Sequence, residues 1–393
     1  MDITAKTPYQ NYLLVSLLMV LCAMTAGICL FKIPMILTDL AESYGIQLTD
    51  ASWLMAIFTF TGIFCAVPAG LLGRRFHPKR MLTAGIFCVA LGSLLGAFAP
   101  NFSVLILTRA LEGVGFSFVA VCGTLTVKQA VEPANIGKAL GIWAVWLCLG
   151  QIAAFAVTPS LYALGGARGL WLFTAALAAF MGVVVALALR VPGESAPAGE
   201  KSPPLSALLS NGNFWKLGLA YLIYNLFVTA VLTFGPACLT EGGVGTARAA
   251  ILTSLPMLLP VASSPACGAL MDRLGVKKPF LIITHLGTVV GAWMFFSFSG
   301  VLLYLGVVIM GVFCCNPTAT LNVIPDILKN PEDYSGAIGL LMVFQNTGMF
   351  LGSLSMSYLL LPAGGVWAIG ALLLLPVGLL AALLAWRVSP RAA

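Results

Sequence analysis

The chain has 393 residues, of which 60% are hydrophobic and only 8% are charged. A water-soluble domain carries about 25% charged and about 45–50% apolar residues, so this composition excludes a protein surrounded by water. Lys and Arg number 20 against 13 Asp and Glu, which leaves a net charge of +7. A basic excess is compatible with nucleic-acid binding, so the position of each cation along the chain must decide its meaning.

Long apolar segments follow one another along the whole chain. A membrane-spanning helix needs about 20 mostly apolar residues, and twelve segments meet that requirement. In chain order they are 12–37, 51–72, 81–99, 103–127, 136–160, 170–189, 214–239, 249–271, 280–298, 301–324, 336–361 and 366–386. The first segment lacks a small-residue cleavage site, so we expect it to be retained as a span. The sequence predicts an all-α integral membrane protein with twelve transmembrane helices.

The longest break between apolar segments lies in the middle of the chain. It is rich in Pro and Gly, a composition typical of a flexible polar linker. We therefore predict an N-terminal six-helix bundle over residues 1–190, a cytoplasmic linker over 191–213 and a C-terminal six-helix bundle over 214–393.

The loop cations indicate the orientation of these helices. If the N-terminus is cytoplasmic, sixteen loop cations fall on the cytoplasmic side and two on the outer side. The sixteen are Lys6, Arg74, Arg75, Lys79, Arg80, Lys128, Lys138, Arg190, Lys201, Lys216, Arg273, Lys277, Lys278, Lys329, Arg387 and Arg391, and the two are Arg168 and Arg248. This bias follows the positive-inside rule and predicts cytoplasmic termini. It explains the net charge without nucleic acid, and we expect a multi-pass protein of the bacterial inner membrane.

The two halves of the chain resemble each other at an offset of 198 residues. The segment 70–80 after the second span matches 268–278 after the eighth, and 132–141 matches 330–339. Parallel repeats of six helices are a transporter architecture, with the substrate site near the membrane midplane between the halves.

Two motifs carry a resemblance to a known family. The pattern G-x-L-x-D-R-x-G-x-K/R is nearly complete over 268–278 and degenerate over 70–80, while Arg109 to Gly115 is similar to R-x-x-Q-G-x-G with Glu112 in place of glutamine. With twelve spans, the linker and the repeat, the sequence resembles the major facilitator superfamily over its whole length. The resemblance implies two pseudo-symmetric six-helix bundles, with the termini in the cytoplasm.

The family resemblance also implies that the loop motifs latch the cytoplasmic gate. Asp272 and Arg273 keep the motif in the second copy, whereas the first copy has Arg74 at the aspartate position, followed by Arg75, and His77 at the glycine position. We therefore expect the first latch to work differently. The alternative is that these loops only satisfy the positive-inside rule.

A weaker resemblance points to one branch of the family. The segment 31–36, which reads Phe-Lys-Ile-Pro-Met-Ile, and the segment 51–54, which reads Ala-Ser-Trp-Leu, are similar to the cyanate and nitroimidazole permeases. More distantly they resemble the monocarboxylate carriers, which also have a lysine late in the first helix.

Three charged residues lie deep inside predicted spans: Lys32, Arg109 and Glu112. A charge at membrane depth costs at least about 2.5–3.5 kcal/mol, so such residues usually face a cavity or one another. At 1.5 Å per residue, Lys32 and Arg109 share a level roughly 8–9 Å below the outer face, and Glu112 lies three residues from Arg109 on the same helical face.

These three residues suggest an anion site with a proton carrier. Lys32 and Arg109 would bind a small carboxylate, which Arg can grip through two parallel hydrogen bonds. Glu112 would carry the coupling proton, because burial and a neighbouring cation act in opposite directions on its protonation. Two alternatives stay open: Lys32 extends to the outer head groups, and Arg109 with Glu112 forms a purely structural pair.

Polar and aromatic residues inside other spans are further candidates for substrate binding. They are Trp53, Trp143 and Gln151 in the first half, and Tyr221, Tyr224, Asn225, Asn316, Gln345 and Asn346 in the second. A buried amide needs a cavity or a partner, so each either lines the pathway or joins helices. His285 and the ten cysteines are interpreted as structural.

Together these patterns predict a secondary active transporter that moves a small organic anion by alternating access, in symport with a proton. The chain shows no P-loop, nucleophile–base set or Cys/His ligand pattern, so we expect no enzyme, cofactor or metal, and transport driven by a gradient. We expect a monomer. One alternative is a proton-driven drug exporter, although the exporter motif G-P-x-x-G-G is missing from residues 141–159. A non-transporting membrane sensor is the second alternative, although we find no soluble signalling domain.

Overall fold

The computed structural model describes residues 10–191, 208–328 and 334–389, and in these ranges the chain is helical with no strand. The helices are α1 (Tyr12–Phe31), α2 (Leu37–Tyr44), α3 (Leu48–Phe76), α4 (Pro78–Ala97), α5 (Phe102–Ala130), α6 (Ile136–Trp143), α7 (Trp146–Ala188), α8 (Gly212–Glu241), α9 (Thr246–Leu258), α10 (Pro260–Leu274), α11 (Lys278–Ser297), α12 (Gly300–Phe313), α13 (Asn316–Ile327), α14 (Tyr334–Leu360) and α15 (Trp367–Arg387). The predicted all-α class is confirmed. Most of the linker and four of the loop cations, Lys6, Lys201, Lys329 and Arg391, lie outside the described residues.

Eleven helical runs in the described ranges are long and apolar enough to cross a membrane, against twelve predicted segments. The difference arises at the fifth and sixth segments, which form one run over Lys138–Ala188. Inside this run the backbone of Gly166 is not helical, with φ 59° and ψ −162°. Only a residue without Cβ adopts such a conformation readily, so α7 consists of two helical parts that meet at Gly166. The count of twelve spans stays a prediction.

The first predicted span is interrupted beside a proline. Helix α1 ends at Phe31, a 3-10 turn covers Pro34–Ile36, and α2 continues to Tyr44. Proline lacks the backbone N–H that a helix interior requires, which explains the break. The predicted end at Leu37 is therefore wrong by seven residues, and Lys32 lies further inside the span Tyr12–Tyr44 than we expected.

The helices separate into two compact units. The first contains the described residues of Met1–Ile36 and Phe60–Glu200, and the second those of Leu37–Thr59 and Lys201–Ala393. In the first unit α1, α4, α5 and α7 pack against one another, and in the second α8 packs with α11, α14 and α15. The domain borders at residues 190 and 214 stay a prediction.

Glycines permit close helix contacts in each unit. In the first, a Cβ atom on Gly150 would lie 2.9 Å from the Cα atom of Gly27. In the second, Cβ atoms on Gly348 and Gly352 of α14 would overlap backbone carbonyl oxygens of α8. Gly348 and Gly352 have the spacing G-x-x-x-G, which here allows direct backbone contact between α8 and α14.

The repeated loop motif keeps a positive φ, but not the same ψ, where its sequence diverges: ψ is 17° at Gly275 and 121° at His77. Gly275 has φ 65°, and at the repeat-related position His77 has φ 76°. His77 is the only residue other than glycine with a positive φ among those described. A side chain with Cβ is disfavoured there by roughly 1–2 kcal/mol.

Replacing His77 with glycine should therefore stabilise the protein. Relief of the backbone conformation outweighs the greater freedom of glycine in the unfolded chain, about 0.5–1 kcal/mol, so His77→Gly should raise the free energy of unfolding by up to about 1 kcal/mol. Thermal unfolding in detergent measures this, and Gly275→Ala should shift the midpoint the other way. A His77→Gly variant no more stable than His77→Ala would show that the backbone at residue 77 costs nothing.

Candidate functional site

The three deep charges of the sequence form one buried cluster in the first unit. Lys32 follows the last residue of α1, while Arg109 and Glu112 lie one turn apart on α5. All three side chains are fully buried. The Lys32 Nζ atom lies 2.8 Å from Glu112 Oε1, and Arg109 Nη1 bonds to the other carboxylate oxygen, Oε2. The spacing of three residues correctly placed Arg109 beside Glu112.

The ammonium group of Lys32 is enclosed by three helices. Besides Glu112, its Nζ atom donates to Ser93 Oγ of α4 at 3.3 Å and to Thr174 Oγ1 of α7 at 3.2 Å. It also lies 4.3 Å from the ring centroid of Trp171 on α7. Every N–H of the ammonium therefore has an acceptor. In this structure the side chain does not extend to the membrane surface, so that alternative is wrong.

Arg109 serves the end of α1 as well as Glu112. Its guanidinium donates to the carbonyl oxygens of Cys29 at 2.7 Å and Leu30 at 3.4 Å. These carbonyls belong to the last turn of α1, where backbone acceptors lack helical partners and the helix dipole is negative. A cation is therefore stabilised there, and Arg109 joins α5 to α1.

Glu112 accepts hydrogen bonds from three side chains. Ser93 Oγ donates to the same Oε1 atom that Lys32 contacts, and Arg109 holds Oε2. Gly92 of α4 makes room for this carboxylate, because a Cβ atom there would lie 2.7 Å from Glu112 Cγ. With all three groups ionised, the cluster has two positive charges and one negative charge. One positive charge is left without a counter-charge from these three side chains.

Two other predicted residues of the first unit, Trp143 and Gln151, differ in whether their polar atoms have hydrogen-bond partners. Trp143 stacks on Trp146 at 5.6 Å, and its Nε1 donates to Thr124 Oγ1 at 3.1 Å. Gln151 of α7 is fully buried, and neither its Oε1 nor its Nε2 has a hydrogen-bond partner among the described residues. Leaving a buried amide without partners costs about 1–3 kcal/mol, so Gln151 is available to a polar group that enters.

In the second unit the structure brings together three predicted residues. Tyr221 and Tyr224 of α8 stack at 5.8 Å between ring centroids. The Tyr221 hydroxyl donates to Gln345 Oε1 of α14 at 3.2 Å, and the Tyr224 hydroxyl donates to the carbonyl of Cys314 at 2.9 Å. A flat aromatic surface with an amide beside it results.

The three asparagines predicted to line the pathway are engaged within the protein. Asn225 and Asn346 donate to carbonyls one turn earlier in their own helices, those of Tyr221 and Met342. Asn316 Nδ2 lies 2.9 Å from both Thr284 Oγ1 and His285 Nδ1, and its Oδ1 accepts from Thr320 at 3.1 Å. Asn316 thus joins α13 to α11 together with His285, which is interpreted as structural from the sequence.

Trp53, on α3, lies in the second unit. Its indole Nε1 donates to the Tyr358 hydroxyl at 3.3 Å, and its ring meets the edge of Phe350 at 6.0 Å. The neighbouring Ser52 lies 3.0 Å from Ser357 through the two hydroxyl oxygens. These contacts attach the first turns of α3 to α14.

The predicted gating residues lie at helix ends. Arg75, Asp272 and Arg273 are exposed, and the side chain of Arg74 lies outside what the structure describes. The ion pair that the structure shows beside the second motif instead joins Lys277 Nζ to Asp326 Oδ1 at 2.8 Å. No role for Asp326 was predicted from the sequence. The repeat offset of 198 residues relates Asp326 to Lys128, and the opposite charges of these two residues could have drawn attention to the position.

Sequence reasoning also missed the neutral side chains around Lys32, namely Ser93, Thr174 and Trp171. No motif marks them, since single hydroxyl residues and tryptophans are common in apolar helices. Only the lateral packing of α4, α5 and α7 brings them to one point.

Comparison with known proteins identifies the family. The sequence matches the model of the Major Facilitator Superfamily over residues 16–246 and 236–393. Because these matches cover nearly the whole chain, the protein belongs to this superfamily of membrane transporters. The expected membership and the multi-pass membrane character are confirmed.

Individual relatives are distant. The MFS-type transporter ppzB of Metarhizium rileyi is 26% identical over 35% of this chain, and the multidrug resistance protein B homolog of Mycobacterium tuberculosis is 25% identical over 47%. The matched segments span only 28% and 36% of the length of those two proteins. The 3-(3-hydroxy-phenyl)propionate transporter of Escherichia coli is 24% identical over 97% of this chain and 96% of its own length.

Solved structures share the fold. The nucleoside transporter NupG superposes with a TM-score of 0.79 at 14% identity, covering 95% of this chain and 98% of its own. A bacterial homolog of the human lysosomal transporter Spinster, in an inward-facing and occupied conformation, gives a TM-score of 0.76 at 15% identity and covers 98% and 97%. At such identities the likeness concerns the fold alone.

The cluster should depend on its one carboxylate. Glu112→Gln leaves Lys32 and Arg109 buried without their shared counter-charge, and should lower the free energy of unfolding by about 3–5 kcal/mol. The triple variant Lys32→Met/Arg109→Met/Glu112→Leu should cost less, because no buried charge remains. Thermal unfolding in detergent compares them, with Glu42→Gln, at an exposed position of α2, as the matched control. Equal stability of Glu112→Gln and Glu42→Gln would contradict the shared role of Glu112.

Proposed function

We propose that this protein is a secondary active transporter that moves a small organic anion by alternating access, in symport with a proton. The observation that carries the proposal is the buried cluster in which two cations share one carboxylate. A carboxylate supplied by a substrate would neutralise its remaining positive charge. The full-length relative named for 3-(3-hydroxy-phenyl)propionate supports an aromatic carboxylate as the substrate class.

Coupling follows from the charge of Glu112. When Glu112 is ionised, it already engages Lys32 and Arg109, and only one net positive charge is left in the cluster to attract an entering carboxylate. When Glu112 takes up a proton, the two cations lose their counter-charge at membrane depth, a costly state that a substrate carboxylate relieves. Proton and anion therefore each favour the binding of the other, and this reciprocity is thermodynamic coupling.

Arg109 is the residue best suited to hold the substrate carboxylate. Its planar guanidinium can present two parallel N–H groups to a carboxylate, whereas Lys32 offers a point charge. Gln151, with its unpartnered amide, and Trp143 are the further candidates in the first unit. In the second unit the stacked Tyr221 and Tyr224 with Gln345 suit an aromatic ring.

Other predicted binding residues are kept as weaker candidates. Asn225, Asn316 and Asn346 would have to give up the hydrogen bonds that engage them, and Trp53 its bond to Tyr358. A helix-joining role explains their contacts equally well.

The loop residues Arg74, Arg75, Asp272 and Arg273 are proposed to act at the cytoplasmic gate. Cytoplasmic termini follow from the sixteen-to-two distribution of loop cations. We further propose a monomer in a bacterial inner membrane.

Drug export is the second candidate function, because one relative, matched over 47% of this chain, is named as a multidrug resistance protein homolog. A purified transporter of lipophilic cations would bind cations rather than carboxylates. Ligand binding therefore separates the two functions.

Binding of 3-(3-hydroxyphenyl)propionate should raise the melting temperature of the purified protein in a concentration-dependent manner. The neutral alcohol 3-(3-hydroxyphenyl)propan-1-ol, of similar shape, should bind at least about tenfold more weakly and therefore need a correspondingly higher concentration for the same rise. The reason is that a lost ion pair of this kind costs more than about 1.4 kcal/mol. Arg109→Lys should weaken the response to the acid because it removes bidentate contact. Stabilisation by tetraphenylphosphonium but not by the acid would favour drug export instead.

Proton coupling is tested by transport in proteoliposomes. Glu112→Gln should abolish accumulation of 3-(3-hydroxyphenyl)propionate driven by an imposed pH gradient, because no proton can be carried, yet preserve counterflow exchange. Ser93→Ala, which keeps the carboxylate and removes one of its donors, is the control and should retain pH-driven accumulation. Undiminished accumulation by reconstituted Glu112→Gln would reject Glu112 as the proton carrier.

A further inference from the structure

The surroundings of the Lys32 ammonium form a complete coordination shell, here named the ammonium cradle and defined as Ser93, Glu112, Thr174 and Trp171. Three oxygen atoms of the cradle lie 2.8, 3.3 and 3.2 Å from the Lys32 Nζ atom. The indole ring of Trp171 covers it at 4.3 Å. A primary ammonium has three N–H donors and one positive charge, and the cradle supplies three acceptors, a carboxylate charge and a π face.

The cradle does not depend on Lys32 for its construction. Its members come from α4, α5 and α7, whereas Lys32 follows α1. They also bond to one another: Thr174 Oγ1 lies 3.3 Å from Ser93 Oγ, and Ser93 donates to Glu112. All four side chains are at most 1% exposed. A buried, mutually bonded set of groups is preorganised for its ligand.

We propose that the ammonium cradle is a binding site for a primary ammonium ion, and that Lys32 is its tethered occupant. The tether makes occupancy permanent, so in the native protein the cradle binds no dissolved cation. If the lysine side chain is shortened to alanine, the cradle should accept a small alkylammonium ion from solution. This inference goes beyond the proposed transport function, since it requires neither the substrate nor the coupling proton.

The chemistry of the cradle favours an ammonium ion over a metal cation. Hard metal cations prefer a nearly complete shell of oxygen ligands, while the indole face attracts an organic cation. The missing part of the lysine side chain in Lys32→Ala corresponds to n-propylammonium. This ion is therefore the probe of matching length, charge and N–H donors.

The test is thermal unfolding of full-length Lys32→Ala in detergent at increasing n-propylammonium chloride and constant ionic strength. We expect a saturable rise of several degrees in the melting temperature, which the wild-type protein does not show because its cradle is filled. Tetramethylammonium, which has the charge but no N–H donor, should have little effect. Lys32→Ala/Glu112→Gln, which lacks the carboxylate, should lose the response.

Several results would overturn the proposal. They are an absent response in folded Lys32→Ala, an equal response to tetramethylammonium or sodium chloride, and an equal response in the wild type. If Lys32→Ala is not recovered folded, Lys32→Ser is purified with and without n-propylammonium. Recovery that depends on n-propylammonium supports the proposal, and failure of both variants in its presence refutes it.

Discussion

One carboxylate, that of Glu112, compensates two cations in an environment that excludes water, and the centre of the first unit depends on this interaction. Lys32 and Arg109 are fully buried, so neither can be hydrated when Glu112 is absent or neutral. The helices around the cluster meet its requirements: Gly92 gives the carboxylate room, Ser93 donates to it, and the last carbonyls of α1 accept from Arg109. A change in the charge of Glu112 therefore affects contacts of α1, α4, α5 and α7.

The sequence predicted those features of the structure that depend only on positions within one continuous segment of the chain. Hydropathy located the spans, and the spacing of three residues paired Arg109 with Glu112, whereas the depth of Lys32 was underestimated because the first span ends later than predicted. It failed where polar residues continue a helix, as in the extension of the first span to Tyr44. The neutral neighbours of Lys32 could not be predicted from the sequence either, because contacts between helices far apart in the chain leave no periodic signal.

The two halves of the repeat differ in side-chain chemistry at related positions. His77 and Gly275 occupy related positions with positive φ, although only glycine suits that conformation. Near the same helix ends Lys277 pairs with Asp326, whereas the repeat relates Asp326 to Lys128. The deep charges lie in the first unit, while the second unit contributes aromatic rings and amides. The two units thus differ in the chemistry that each can offer to a ligand.

The contact of Arg109 with the carbonyls of Cys29 and Leu30 has a mechanical consequence. The same guanidinium contacts the Glu112 carboxylate and the last turn of α1, which ends at Phe31, shortly before the turn that begins at Pro34. A guanidinium that turned toward a new anion would have to release these carbonyl oxygens, so under the proposed function the protonation of Glu112 would alter the end of α1. Arg109, which is held on α5, thus links the charge of Glu112 to the end of α1.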